Sequence, residues 1–85
     1  MTYTVVLLPA ARRQFASLPK SVQERLRPHL DALAVNPHPH GVTKLKGRFE
    51  YWRIRVGDYR VVYTIDGDRV VVSVVRIGHR REVYR

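Results

Sequence analysis

Apolar residues open the chain in a run typical of a β-strand, and apolar residues at helical spacing follow it. Residues 3–8 are all β-branched, aromatic or aliphatic, and Pro9 comes directly after them, so a strand is predicted there. Ala11, Phe15 and Leu18 then recur at intervals of four and three, which predicts a short helix that begins near Pro9.

A second helical pattern begins at Ser21, where Ser21 and Glu24 have the spacing of a capping box. Its apolar positions are Val22, Leu26, Leu30 and Leu33. Pro28 lies inside this pattern and is expected to kink the helix or end it early, because proline lacks the backbone N–H. The helix is expected to stop at Asn36, and the prolines and glycine of residues 37–41 predict a loop.

The second half of the chain contains two sequence signals for β-hairpins. Gly57-Asp58 and Asp66-Gly67 each stand between runs rich in Val, Ile, Tyr and Trp, which predicts a two-residue turn at both places. The three antiparallel strands are predicted at about 49–56, 59–65 and 69–77. The predicted fold class is α+β: an N-terminal strand, two helices and a three-stranded antiparallel meander, with the helices packed on one face of the sheet.

The first hairpin turn determines which side chains share a face, because opposed residues, and residues two apart on one strand, point the same way. One face is expected to be apolar and aromatic and to carry the helices; it holds Trp52, Ile54, Val56, Tyr59, Val61 and Tyr63. The other face is expected to hold Arg53, Arg55 and Arg60, joined across the second hairpin by Val71 and Ser73.

The arginines on this second face are in conflict with ordinary sheet pairing. Arg55 is expected directly opposite Arg60, and like charges in that arrangement repel each other. Neither Asp nor Glu alternates with the arginines, so ion pairing does not explain them. A solvated outer face is the plain interpretation, but a local conflict of this kind is more typical of a functional site. The pattern therefore favours an anion-binding surface.

Composition narrows the class of protein. The 85 residues are enough for one domain, 1–85, and for one small core, which excludes large cofactor-binding enzymes. Sixteen Lys and Arg against seven Asp and Glu give a formal net charge of +9, which is typical of proteins that bind nucleic acid or an acidic partner. The chain has no cysteine, no bilayer-spanning apolar run and no signal-peptide pattern, so a cytoplasmic location is expected.

Positive charge is concentrated in the second half of the chain. Residues 44–60 hold six basic groups against two acidic ones, a net +4, and include Lys44, Lys46 and Arg48 just before the first hairpin strand. Arg80 and Arg81 follow the last strand after a glycine, with Tyr84 close behind them. Polyanion binding with strong salt dependence is expected from this count.

A series of short motifs extends over nearly the whole chain. It consists of the opening strand, Ala11-Arg12-Arg13, Leu18-Pro19, Lys44-Leu45-Lys46-Gly47, Tyr51-Trp52-Arg53-Ile54-Arg55-Val56, Gly57-Asp58-Tyr59-Arg60-Val61-Val62-Tyr63 and Ile77-Gly78-His79-Arg80-Arg81-Glu82-Val83-Tyr84. In this order and at this length, these motifs resemble those of the RelE/ParE superfamily of toxins from type II toxin-antitoxin systems, and of its RelE branch in particular.

The resemblance implies a metal-independent endoribonuclease, an mRNA interferase without cofactor that cuts messenger RNA in the ribosomal A site. Attack by the ribose 2′-hydroxyl would leave a 2′,3′-cyclic phosphate and a 5′-hydroxyl end. Carried over by position, the catalytic residues are Arg53, Arg55, Arg60, Arg80 and Tyr84, and Lys44, Lys46, Arg48 and Arg81 are expected to bind RNA. The implied partner is a cognate antitoxin that covers the basic surface and binds operator DNA.

Proton transfer is where the sequence departs from the family pattern. The family often has lysines at the positions of Arg53 and Arg55, and arginine is a poor general base because its pKa stays far above neutrality. The role therefore falls on Tyr84, whose phenolate nearby positive charges would favour. His79 is a further candidate, although a surface histidine in a basic turn is the plainer interpretation, and Arg80 and Arg81 could exchange roles.

Three alternatives remain open. A metal site could draw on His29, His38, His40 and His79, but no cysteine or carboxylate cluster completes such a set. The ParE branch shares the fold, inhibits DNA gyrase and generally lacks the catalytic basic residues. A non-enzymatic RNA-binding module is the third possibility.

Overall fold

A five-stranded sheet with two helices forms the structure, a computed structural model that describes residues 2–38, 42–45 and 51–79. The elements are β1 (Thr4–Leu7), α1 (Pro9–Ala16), α2 (Lys20–Val35), β2 (Thr43–Leu45), β3 (Tyr51–Val56), β4 (Tyr59–Asp66) and β5 (Val71–His79). The strand order is β1-β5-β4-β3-β2; β1 runs parallel to β5 and the other pairs are antiparallel. The α+β prediction is confirmed, with β2 as an added edge strand and β1 joined to the meander in one sheet.

Both helices pack on the same face of the sheet. Each turns an apolar stripe inward because its large side chains recur at intervals of three and four. The residues buried between helices and sheet are Ala11, Leu26, Leu30, Leu33, Ile54, Val56, Val61, Tyr63, Val72, Val74 and Ile77. The predicted placement of Trp52, Tyr59 and Tyr63 on this face is confirmed, since Tyr63 is fully buried in this core and the other two pack against it.

Helix α1 covers the part of β5 that β1 does not reach. Strand β1 pairs with residues 71–74, and within the described ranges no strand lies beside the backbone of β5 beyond Val74 on that side. There the N–H of Ile77 donates a 2.8 Å hydrogen bond to Oε1 of Gln14 on α1. One side chain thus replaces the missing strand at this position.

Two hydrogen bonds fasten the end of α2 to the sheet. The Tyr63 hydroxyl donates to the carbonyl of Pro37 at 2.7 Å, and the N–H of Tyr3 donates to the carbonyl of Ala34 at 2.7 Å. Burial raises the pKa of Tyr63 to about 12, because the phenolate would have to form away from water.

The start and interior of α2 differ from the prediction. The capping box at Ser21 is wrong: Pro19 is the N-cap, no side chain caps the helix, and the Pro19 carbonyl accepts bonds from the next turn. The side-chain amide of Gln23 donates to the Leu18 carbonyl at 2.9 Å and holds this junction. Of the two outcomes expected at Pro28, a kink or an early break, the early break does not occur, since α2 continues to Val35 with Pro28 on its exposed side.

The first hairpin follows the predicted register at every position. Gly57 has φ of +60°, which suits the first central residue of a tight two-residue turn. Opposed pairs run from Val56 with Tyr59 to Trp52 with Tyr63, and they place Arg55 opposite Arg60.

The prediction of a two-residue turn at Asp66-Gly67 is wrong, because the turn of the second hairpin is longer. Oδ1 of Asp66 accepts 3.1 Å bonds from the N–H groups of Asp68 and Arg69, which extends the turn to residues 67–70. Strand β5 therefore begins at Val71, and Ser73 lies opposite Thr64. Val71 and Ser73 do share the face of the arginines, but at its far end.

Candidate functional site

Four arginines on three neighbouring strands share the face of the sheet opposite the helices. Arg53 and Arg55 lie on β3, Arg60 on β4 and Arg76 on β5. Arg55 is directly opposite Arg60, while Arg53 and Arg76 lie on either side of Val62. We call these four residues the arginine face.

Arg60 is held by the turn of its own hairpin. Its side chain is buried, with 6% of the residue exposed, and Nη1 donates to the carbonyls of Gly57 at 3.3 Å and Tyr59 at 3.2 Å. A guanidinium held in this way has lost most of its rotational freedom before any ligand arrives. Such a group can stabilise developing negative charge without reorganising.

The two arginines of β3 are more accessible than Arg60. Arg55 is exposed and Arg53 is half-buried, and they are two residues apart on one strand. Thr43 of the edge strand β2 lies opposite Arg53. An extended polyanion could therefore reach both side chains from solvent.

The carboxylates among the described residues lie away from the four arginines. Among the described residues, Glu24 and Asp31 are on α2, Asp58 is in the first hairpin turn, and Asp66 and Asp68 are at the second turn. Oδ2 of Asp66 is 3.8 Å from Nε of Arg69 at that far end. The positive field over the arginines is thus not offset by acids on the described central parts of β3, β4 and β5.

Arg76 was not among the sequence-predicted site residues. A register shift lies between Val62 and Tyr63, where Val62 pairs with Arg76 and Tyr63 pairs with Val74. The extra residue, Val75, changes the alternation of β5 and turns Arg76 toward the arginine face. The spacing of Val74 and Ile77, two apolar residues three positions apart in a strand, was the signal that could have shown it.

Lys44 lies apart from the arginines, on the helix side of the sheet. It pairs with Trp52, and its Nζ is 5.7 Å from the centre of the Trp52 ring. The ring of His38 meets the same tryptophan edge-on at 4.6 Å. The sequence-predicted role of Lys44 in RNA binding would therefore need a contact separate from the arginine face.

His79 also faces the helix side. It is opposite Tyr59, and the two rings meet edge-on with centres 5.8 Å apart. No three His, Asp or Glu side chains come together to hold a metal ion within the ranges that the structure describes.

Five of the predicted site residues lie outside the described residues: Lys46, Arg48, Arg80, Arg81 and Tyr84. Their roles remain predictions. Of the predicted catalytic set, the structure brings Arg53, Arg55 and Arg60 together.

In the described part of the chain, neither helix has the length and apolar character needed to cross a bilayer.

Comparisons with known proteins agree with this fold. A model of the ParE toxin of type II toxin-antitoxin systems, parDE, matches residues 5–84. Toxin RelG of Mycobacterium tuberculosis is 29% identical over 86 residues, which cover 100% of this chain and 99% of that protein.

Solved structures show the same similarity. In the archaeal RelE-RelB complex of Pyrococcus horikoshii OT3, one chain is 32% identical, with a TM-score of 0.81 and coverage of 94% of this chain and 97% of that chain. The isolated RelE toxin of Escherichia coli is 29% identical, with a TM-score of 0.80 and coverage of 96% and 90%. Four arginines on one face of the sheet, the α+β fold and these matches lead to one conclusion: the chain belongs to the RelE/ParE superfamily of toxins of type II toxin-antitoxin systems.

Proposed function

We propose that this toxin is a metal-independent endoribonuclease that cuts messenger RNA on the ribosome. The observation that carries the proposal is the direct opposition of Arg55 and Arg60, with Arg60 buried and hydrogen-bonded to its own turn. A sheet gains no stability from two opposed guanidinium groups. It does gain two neighbouring phosphate ligands, of which Arg60 is held in place by hydrogen bonds.

The proposed reaction is an internal transfer at one phosphate. The 2′-oxygen of a ribose bonds to the adjacent phosphorus while the bond from phosphorus to the 5′-oxygen of the next nucleotide breaks. The 2′-hydroxyl proton passes to a base, and the departing 5′-oxygen takes up a proton. The products are a 2′,3′-cyclic phosphate and a 5′-hydroxyl end.

Arginine suits the charge that develops in this reaction. The five-coordinate phosphorus carries more negative charge on its oxygens than the starting diester, so fixed guanidinium forks bind it more strongly. In this proposal Arg60 and Arg80 hold the scissile phosphate, and Arg53 and Arg55 orient the backbone. Tyr84 accepts the proton or stacks on a base.

The antitoxin and the location belong to the same proposal. Relatives of this chain have been solved as RelE-RelB toxin-antitoxin complexes from Pyrococcus horikoshii and Escherichia coli. A cognate antitoxin that covers the arginine face would hold this toxin inactive and would bind operator DNA through its own domain. We place the toxin in the cytoplasm, where translated messenger RNA is found.

Inhibition of DNA gyrase is the second candidate, because the family model that matches this chain is that of ParE toxins. A non-enzymatic RNA-binding module is the third. The arginine face favours the nuclease over both, since plain binding does not require a buried arginine with fixed geometry.

The test adds purified protein to a translating cell-free system and maps the cut ends by primer extension. Fragments should accept a 5′-phosphate from polynucleotide kinase without prior phosphatase treatment, as 5′-hydroxyl ends do. Arg60→Ala should reduce the cleavage rate about 1,000-fold, the upper range for loss of one charge-stabilising donor. Arg69→Ala, which removes an exposed arginine at the far turn, is the matched control and should cleave normally.

Because Arg60 is buried, urea denaturation of Arg60→Ala accompanies the assay and shows that the variant is folded. Intact messenger RNA together with inhibited gyrase supercoiling would favour the ParE function instead. If RNA is retained on a filter but neither activity is present, the protein is a binding module.

A further inference from the structure

We propose that Arg76 binds a backbone phosphate next to the scissile one, and so extends the RNA site from β3 and β4 onto β5. This inference rests on the proposed function. It assigns Arg76 to positioning the substrate and not to the chemical step.

The direction of Arg76 follows from the alternation of β5. Val74 and Ile77 are both buried in the core under the helices, with 0% and 2% of each residue exposed, although three positions separate them. In a regular strand, residues three apart point to opposite faces. Because the bulge adds one residue, Val75, to β5, Val74 and Ile77 both point into the core. Arg76 then points to the other face, where it is exposed to solvent.

Arg76 completes a row of residues across three strands. Arg53, Val62 and Arg76 are aligned by the register, and Val62 between them is 7% exposed. With strands about 4.8 Å apart, the two arginine backbones are roughly 10 Å apart. The two arginines therefore lie on either side of a buried apolar residue. An RNA backbone that crosses the sheet would meet one arginine and then the other.

The neighbouring row, which contains Arg55 and Arg60, has a glycine in place of an arginine on β5. Arg55 and Arg60 occupy β3 and β4, but Gly78 opposite Arg60 carries no side chain. Arg76 is therefore the arginine that the described part of β5 contributes to this face. The row of Arg53, Val62 and Arg76 lies about 7 Å along the strands from the row of Arg55 and Arg60. Its two arginines can therefore hold the RNA backbone on one side of the Arg55–Arg60 pair.

Loss of a phosphate contact has a signature distinct from loss of catalysis. Each phosphate contact to single-stranded nucleic acid contributes about 0.7 to the slope of log affinity against log salt. A residue that binds substrate and transition state equally affects KM and leaves kcat unchanged.

The experiment measures salt-dependent binding of a short RNA whose 2′-hydroxyls are all methylated, by fluorescence anisotropy. Methylation removes the attacking group, so binding is measured without cutting. Arg76→Ala should weaken binding about tenfold and reduce the salt slope by about 0.7, as expected for one charged hydrogen-bonded contact. Arg76→Lys should keep the slope, and Arg69→Ala should resemble the wild type in both respects.

Cleavage by the same variants separates this inference from the proposed function. On translated messenger RNA, Arg76→Ala should raise KM with kcat within about twofold of the wild type, as for uniform binding. An unchanged salt slope in Arg76→Ala overturns the inference, whether or not the wild type cleaves. If the wild type never cleaves but the slope falls as expected, the proposed nuclease fails and the phosphate site at Arg76 stands.

Discussion

The two faces of the sheet have different roles: one forms the core, and the other carries the candidate functional site. On the helix-covered face, side chains such as Val61, Val72 and Val74 are fully buried and apolar. On the other face, the same strands present Arg53, Arg55, Arg60 and Arg76. Because neighbouring residues in a strand point to opposite faces, each strand can serve the core and the site independently. Stability and function should therefore be separable by mutation.

The largest expected change in stability comes from the helix-covered face. Leu33→Ala removes a fully buried side chain and should lower the free energy of unfolding by about 3 kcal/mol, through lost burial and the remaining cavity. Urea denaturation measures this. Val35→Ala, at a residue that is 76% exposed, should change stability by less than about 0.5 kcal/mol.

The same mutation tests the separation of the faces. In conditions where Leu33→Ala is folded, its RNA affinity should equal that of the wild type. A weaker affinity in the folded variant would show that the core determines the geometry of the arginines, and the comparison of faces would need revision.

A smaller effect is expected from Tyr63 at alkaline pH. Its pKa in the folded protein is raised to about 12 from an ordinary value of 10, so the unfolded state loses its proton first as pH rises. The stabilisation is complete below pH 10 and is lost between pH 10 and 12, by about 2 to 3 kcal/mol. Denaturation across that range should show the decline.

Tyr63→Phe is the control for this titration, because it removes the hydroxyl and its bond to Pro37. At neutral pH it should cost about 1 kcal/mol. The wild type should then lose this advantage above pH 10 and become the less stable of the two before pH 12, and a constant difference up to pH 12 would contradict the assigned pKa.

The sequence predicts the site residues of the first hairpin better than those of the second. The turn at Gly57-Asp58 is specified by two adjacent residues, so the register of β3 and β4, and with it the placement of Arg53, Arg55 and Arg60, followed from local chemistry. The helices and core followed from periodicity.

The second hairpin depends on contacts that a hydrophobic pattern does not show. Asp66 lengthens the turn through its side chain, and Val70 adopts φ of +59°, a conformation that β-branched residues rarely take. The bulge at Val75 then reverses the alternation of β5. Arg76 was missed because its direction depends on that bulge.

The central claim is that one face of the sheet carries the chemistry, and one pair of variants tests it most directly. Arg55→Ala and Arg12→Ala each remove one exposed arginine, the first from the arginine face and the second from α1 on the helix side. The initial rate of messenger RNA cleavage in a cell-free translation system is the measurement. Arg55→Ala should lower it by about 100-fold, because an RNA backbone held out of alignment loses about that much in rate, with Arg12→Ala close to the wild type. Equal rates in the two variants would contradict the account.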